Sequence, residues 1–165
     1  MISKTQSIGI ALLMLGVMTG SAMAADSPAC KLLTPAELEP VAGKLRAFTP
    51  MGGLPETNIC TSSSTAGTRV MLRLAMRKAG GDSPEAKGIE AAKKMGAIVD
   101  VKTSGPITCS TIIPPKNLQA YGFNTTCTVV KTGQVAGVEV TVKAQKDMVP
   151  IDKLRPLAEK MTGRF

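Results

Sequence analysis

The sequence predicts an α+β domain, an antiparallel sheet of five to six strands with two to three helices packed on one face and stapled by disulfides. Three observations carry that expectation. Segments with period-two alternation follow one another with short turns between them, which implies antiparallel neighbours. Helical patterns stand near the start, the middle and the end of the chain. Four cysteines (Cys30, Cys60, Cys109 and Cys127) belong to a chain that opens like an exported protein, where paired cysteines favour disulfides over thiols or metal ligands.

Residues 1–24 read as an export signal. Lys4 supplies the positive charge, Ile8 to Val17 form an apolar run broken only by glycine, and Ala22-Met23-Ala24 offers small residues to a signal peptidase, with cleavage expected after Ala24. The run is short of the roughly 20 apolar residues that span a bilayer, and no later segment approaches that length. Residues 25–165 are then expected to form a single α+β domain, periplasmic or secreted. Cys30 lies behind polar Asp26-Ser27-Pro28 and not at the first mature position, so a lipid anchor is not expected.

The first helix starts at Thr34-Pro35-Ala36-Glu37, where Thr34 can cap, Pro35 suits the first turn and Glu37 can bond back. Leu38, Val41 and Leu45 fall at helical spacing, and Pro40 marks a kink or an early end. Thr49 to Pro55 reads as a loop from its proline and glycine content. Asn58 to Ser62 is a short polar strand. Thr68 to Arg77 alternates, with Val70, Leu72, Leu74 and Met76 on one side and Arg69, Met71, Arg73, Ala75 and Arg77 on the other. Ser83-Pro84-Glu85 opens a second helix that runs to about Met95. Its expected apolar face is Ala86, Ile89, Ala92 and Met95, and Gly88 weakens it by about 1 kcal/mol relative to alanine.

The second half is strand-rich, with Ala97 to Lys102, Ile107 to Ile113, Gly122 to Lys131 and Ala136 to Gln145. Thr132-Gly133-Gln134 makes a hairpin between the last two. A closing helix begins near Asp152, which leaves Pro156 about one turn in, and shows a face of Ile151, Leu154, Leu157, Ala158 and Met161. If Ile107–Ile113 and Gly122–Lys131 form a hairpin centred near Leu118, Cys109 falls opposite Cys127. Cys30 would then clip to Cys60. Four cysteines allow other connectivities, and this nearest-neighbour one is the expected pairing. A redox role would call for the close spacing of thioredoxin-like pairs, which is absent.

Composition excludes several chemistries. With no histidine there is no Ser-His-Asp or Cys-His arrangement and no histidine-based metal or haem ligation. With no tryptophan and only Phe48, Tyr121, Phe123 and Phe165 in the mature chain, a stacking platform for sugars or bases is not expected. No cofactor and no metal is expected. Met71, Met76 and Met95 read as core or gap-filling residues, not copper ligands. The Ser62-Ser63-Ser64 run sits in a polar turn without the spacing of a Ser–Lys nucleophile pair. The acidic residues are scattered, so no catalytic carboxylate pair stands out. Asn124-Thr125-Thr126 matches a glycosylation sequon and is set aside because the signal and composition look bacterial.

The net charge of +8 makes the partner's charge a question. Arg69, Arg73 and Arg77 share one strand face and are the candidate anion-binding residues, the more so if Lys131 or Lys143 joins them. The plainer alternative is a solvated face that discourages edge pairing. Lys87, Lys93, Lys94 and Lys102 read as an exposed helix and its neighbour. Nucleic acid is not an expected partner, since no recognition motif is present.

Cys30-Lys31-Leu32-Leu33-Thr34-Pro35-Ala36-Glu37-Leu38, with Cys60 and Cys127 each at a strand, resembles the opening of a broad group of exported bacterial four-cysteine domains. The group includes actinobacterial lipoproteins of unknown function, with a fainter likeness to the extracellular sensor domains of receptor kinases. This chain lacks their lipobox and the tryptophan that often follows the second cysteine. The resemblance implies a disulfide-stapled domain of binding or sensing type and carries over no catalytic residue. The expectation is therefore an exported envelope domain that binds without catalysis, its partner an envelope component (anionic if the arginine face serves it), a small ligand held between sheet and helices, or another protein. The alternatives are an envelope-polymer hydrolase using paired carboxylates and a structural periplasmic stability protein.

Overall fold

The computed structural model describes residues 27–52, 56–77 and 84–165; the expected export signal over residues 1–24 lies outside them. Helix α1 (Pro35–Ala42) starts as its sequence dictates. The Glu37 amide donates to Thr34 Oγ1 at 3.3 Å, and the Thr34 amide donates to Glu37 Oε2 at 2.9 Å. Pro40 lies inside the helix, and Gly43, at φ +71°, ends it one residue after Ala42. Leu45, expected on the helix face, falls beyond this stop and bridges instead to Ser64.

Seven strands follow: β1 (Thr49–Met51), β2 (Thr57–Ser63), β3 (Arg69–Met76), β4 (Ile98–Ser104), β5 (Ile107–Ile113), β6 (Phe123–Lys131) and β7 (Gln134–Val142). They form one antiparallel sheet in the order β1-β2-β3-β7-β6-β5-β4. The extra strand is β1, three residues long with Pro50 at its centre, in a stretch that reads as loop. Proline is tolerated there because β1 is an edge strand and one side of it needs no donor. Ser62 and Ser63 belong to β2, not to a turn, and the Ser62 hydroxyl donates to the Arg46 carbonyl at 2.6 Å.

The chain lays down β1 to β3 side by side and then crosses to the far edge, with helix α2 (Pro84–Lys94) in the crossover. From β4 it returns by hairpins to β7, which closes against β3. Val70, Leu72, Leu74, Val138, Val140, Cys127 and Val129 point to one face of the sheet. That face is covered by a short 3₁₀ turn (Pro28–Lys31), by α1 and by α3 (Ile151–Met161). Ile151, Leu154, Leu157, Ala158 and Met161 are all buried in it, as their spacing predicts. Two helices thus occupy the expected face, and α2 lies over the other.

Both disulfides sit on the covered face. Cys109 and Cys127 are direct cross-strand partners, and Cys30 ties the 3₁₀ turn to Cys60 on β2. The buried Thr125 hydroxyl donates to the Val149 carbonyl at 2.7 Å, so this polar group in the core is satisfied. The end of the chain is clamped to α1: Arg164 donates to Glu37 Oε1 at 2.7 Å and Oε2 at 2.8 Å, and to the Leu32 carbonyl at 2.9 Å. This fork, with the Thr34 amide, holds the Glu37 carboxyl at about 2, well below its usual range.

Two stability predictions follow from these ties. Replacing Cys109 and Cys127 by alanine together should lower unfolding free energy by about 2 to 4 kcal/mol, read from urea midpoints. Because the folded Glu37 pKa lies below the unfolded one, its contribution is complete above pH 4.5 and is lost as the pH falls towards 2. Arg164→Ala should remove about 1 to 2 kcal/mol at neutral pH, after allowance for solvent screening. It should also flatten the wild type's loss of stability between pH 4.5 and 2.

Candidate functional site

The sheet face opposite the core is built from the alternate residues of the same strands. Met71 and Arg73 on β3, Gly137 and Glu139 on β7, Thr126 and Thr128 on β6, and Thr108, Ser110 and Ile112 on β5 all turn to this side. Helix α2 crosses above them and encloses a cavity of about 200 Å³, open on one side. The first turn of α2 is pinned to the sheet by an ion pair between Glu85, largely shielded from solvent, and the half-buried Arg73. A carboxylate in a helix's first turn is also favoured by the helix dipole.

Two glycines hollow the space. Gly88 lines the roof, where an added Cβ would meet nothing within 4 Å. Gly137 lines the floor, paired with Arg73 on one side and Thr128 on the other; an added Cβ there meets Thr128 Cγ2 at 3.4 Å. Glycine inside a helix or strand costs about 0.5 to 1 kcal/mol against alanine, so both elements are weakened where they line the cavity. The helix stands off the sheet accordingly. Of its expected apolar face only Ala92 is buried; Ile89 reaches the cavity half-buried, and Ala86 and, just past the helix, Met95 are exposed. Met76, also expected in the core, is exposed at the end of β3, and Met71 lines the cavity.

The electrostatics of the cavity come from one guanidinium and two carboxylates. Arg73 is matched by Glu85. Glu139, half-buried on the central strand β7, accepts a hydrogen bond from the Thr141 hydroxyl at 3.2 Å and has no cationic partner among the described residues. Asn124 lies on the same face opposite Thr141, and its buried Oδ1 meets no donor. The cavity lining therefore carries one more carboxylate than guanidinium, while the Asn124 oxygen is sealed outside it. No group of three or more metal-ligating side chains occurs among the described residues.

The arginine row does not gather into one patch. Arg73 alone enters the cavity. Arg69 lies further along the same face and donates to the Tyr121 carbonyl at 3.3 Å, in a separate notch that it lines with Lys143. Arg77 stands beyond the end of β3, its amide bonded to the Gly133 carbonyl at 2.8 Å. Lys131 is on the opposite side, donating to the Thr162 and Phe165 oxygens at 3.1 and 2.7 Å. Sequence reasoning passed over Glu139 and Gly137. Their signal was present: both interrupt the otherwise apolar run Val135 to Val140 of a central strand, where a charge and a glycine each cost stability.

Set against known proteins, the chain matches no family model, no curated protein and no solved structure.

Proposed function

We propose that this chain is an exported binding or sensing domain of the bacterial envelope, and that it holds a small ligand with a cationic group between α2 and the open face of the sheet. The observation that carries the reading is the cavity itself, lined by Gly88 and Gly137 with the unmatched Glu139 in its wall. An ammonium group would pair with Glu139 in the cavity wall. The hydroxyl-bearing strip of β5 and β6 would serve the polar remainder of the ligand, and Met71, Ile89 and Ile112 an apolar one. At about 200 Å³ the space suits a metabolite-sized molecule, below the roughly 300 Å³ at which drug-sized pockets begin.

Two disulfides fit an oxidising compartment, and no helix among the described residues is long and apolar enough to cross a membrane. With the signal-like residues 1–24 and the likeness to exported four-cysteine domains, they support the periplasmic or secreted address. The ligand's charge is opposite to the one the arginine row suggests, because the arginine that reaches the cavity is already neutralised by Glu85. A hydrolase reading draws on the same two carboxylates, Glu85 and Glu139, which line one cleft. Product release from envelope polymers, abolished in Glu139→Gln, would support it over binding alone.

Native mass spectrometry of protein taken from its own periplasm should show a retained small amine, followed by calorimetry with a panel of amino acids and diamines. Glu139→Gln should weaken binding about tenfold or more, the value of a lost charge-assisted hydrogen bond. Gly137→Leu should fill the floor and abolish binding while the thermal midpoint stays within a few degrees. An anionic retained ligand, or wild-type affinity in both variants, would sink the proposal.

A further inference from the structure

Strand β4 ends the sheet. One side of it pairs with β5, and the other presents a row of backbone donors and acceptors with no strand against it among the described residues. Its apolar side chains are unusually bare: Ile98 is 69% exposed, Val101 39%, and Met95 just before the strand 60%. Exposed edges of this kind are usually blunted by brevity, a bulge, proline or charged side chains. This one has seven residues, Ile98–Ser104, in unbroken register with β5 and no proline.

The order of charges along the edge is what selects a partner. The strand reads Ile98-Val99-Asp100-Val101-Lys102-Thr103-Ser104. If a second copy lies antiparallel with the two-fold axis at Val101, Val101 meets Val101, and Asp100 of each copy lies directly opposite Lys102 of the other. Asp100 and Lys102 share a sheet face, the one on which Lys102 Nζ reaches Asp152 of α3 at 3.5 Å, so both cross-strand pairs form side by side. The neighbouring registers that keep the faces aligned fail. Centring on Asp100 opposes two aspartates, and centring on Lys102 opposes two lysines. The edge is thus complementary to itself in one register and repulsive in the adjacent ones.

We propose that β4 is a homodimer edge, through which two copies join their seven-stranded sheets into one continuous sheet about a two-fold axis at Val101. The second copy satisfies the open backbone groups of β4 and covers Val101. This edge and the ligand cavity are separate proposals, and neither depends on the other.

The test is the oligomeric state of the exported chain by sedimentation velocity, across micromolar to sub-millimolar protein. The wild type should dimerise. Asp100→Lys and Lys102→Asp should each raise the dimer dissociation constant about tenfold or more, since both cross-strand pairs become like-charged. An equal mixture of these two variants should recover the wild-type dimer as a heterodimer, because each strand then faces its opposite charge. The double variant carrying both substitutions should dimerise alone. Asp152→Asn should leave the dimer unchanged, which separates the edge pairing from the contact with α3. A wild type that stays monomeric throughout, single variants that associate as the wild type does, or a mixture that fails to recover the dimer would overturn the proposal. Far-ultraviolet circular dichroism matching the wild type, with a single cooperative melt, would show that each variant still folds.

Discussion

The pairing of β3 with β7 governs the rest of the molecule. It places the third strand made beside the last, so the chain must leave β3, travel past three strand positions and begin again at the far edge. One face of the sheet is already filled by α1, α3 and the residues around Cys30. The connection is therefore left with the other face, and the helix it carries becomes a roof. The cavity follows from this route: a crossover helix with one well-buried side chain among its described residues and a glycine at its middle does not seal the surface beneath it.

The covalent and ionic ties respect the same seam. One disulfide lies within the first three strands and their leading turn, and the other joins β5 to β6. Neither crosses from β3 to β7. That junction is held by its backbone ladder and by the packing of Val70 and Leu72 against Val140 and Val138. Arg164 adds a tie from outside the sheet, bringing the end of the chain onto Glu37 of α1 and so linking first and last elements. Among the described aromatic residues only Phe123 is buried, and branched aliphatic side chains make up most of the core. Staples and a terminal clamp are what such a core needs when large rings are scarce.

Local features were legible in the sequence wherever neighbouring residues decide them. The capping box at Thr34, the limits of β5, the turn at Gly133 and the facing of Cys109 by Cys127 each depend on a few adjacent positions or on a single hairpin. The partner of β3 was not legible, because nothing nearby in the chain says which distant strand will lie beside it. The face taken by α2 depends on that partner, and so it was hidden as well. The site shared the same fate. Arg73 reads as one of three exposed cations until Glu85 is brought over it, and Glu139 reads as one scattered acid until the crossover encloses it. Residue types were visible; their meeting was a property of the topology.

The late position of β7 has a kinetic side. A chain that emerges with its N-terminus first completes β3 long before residues 134–142 exist outside to pair with it. During that interval the inward Val70, Leu72 and Leu74 of β3 and one whole line of its backbone groups face solvent. Pairings between segments so far apart in sequence form slowly, because the loop must be closed before any contact repays it. The sheet thus closes last at its middle and not at its margins. Nascent copies are most open to sticking to one another, or to a holding chaperone, in the period before the final strand arrives.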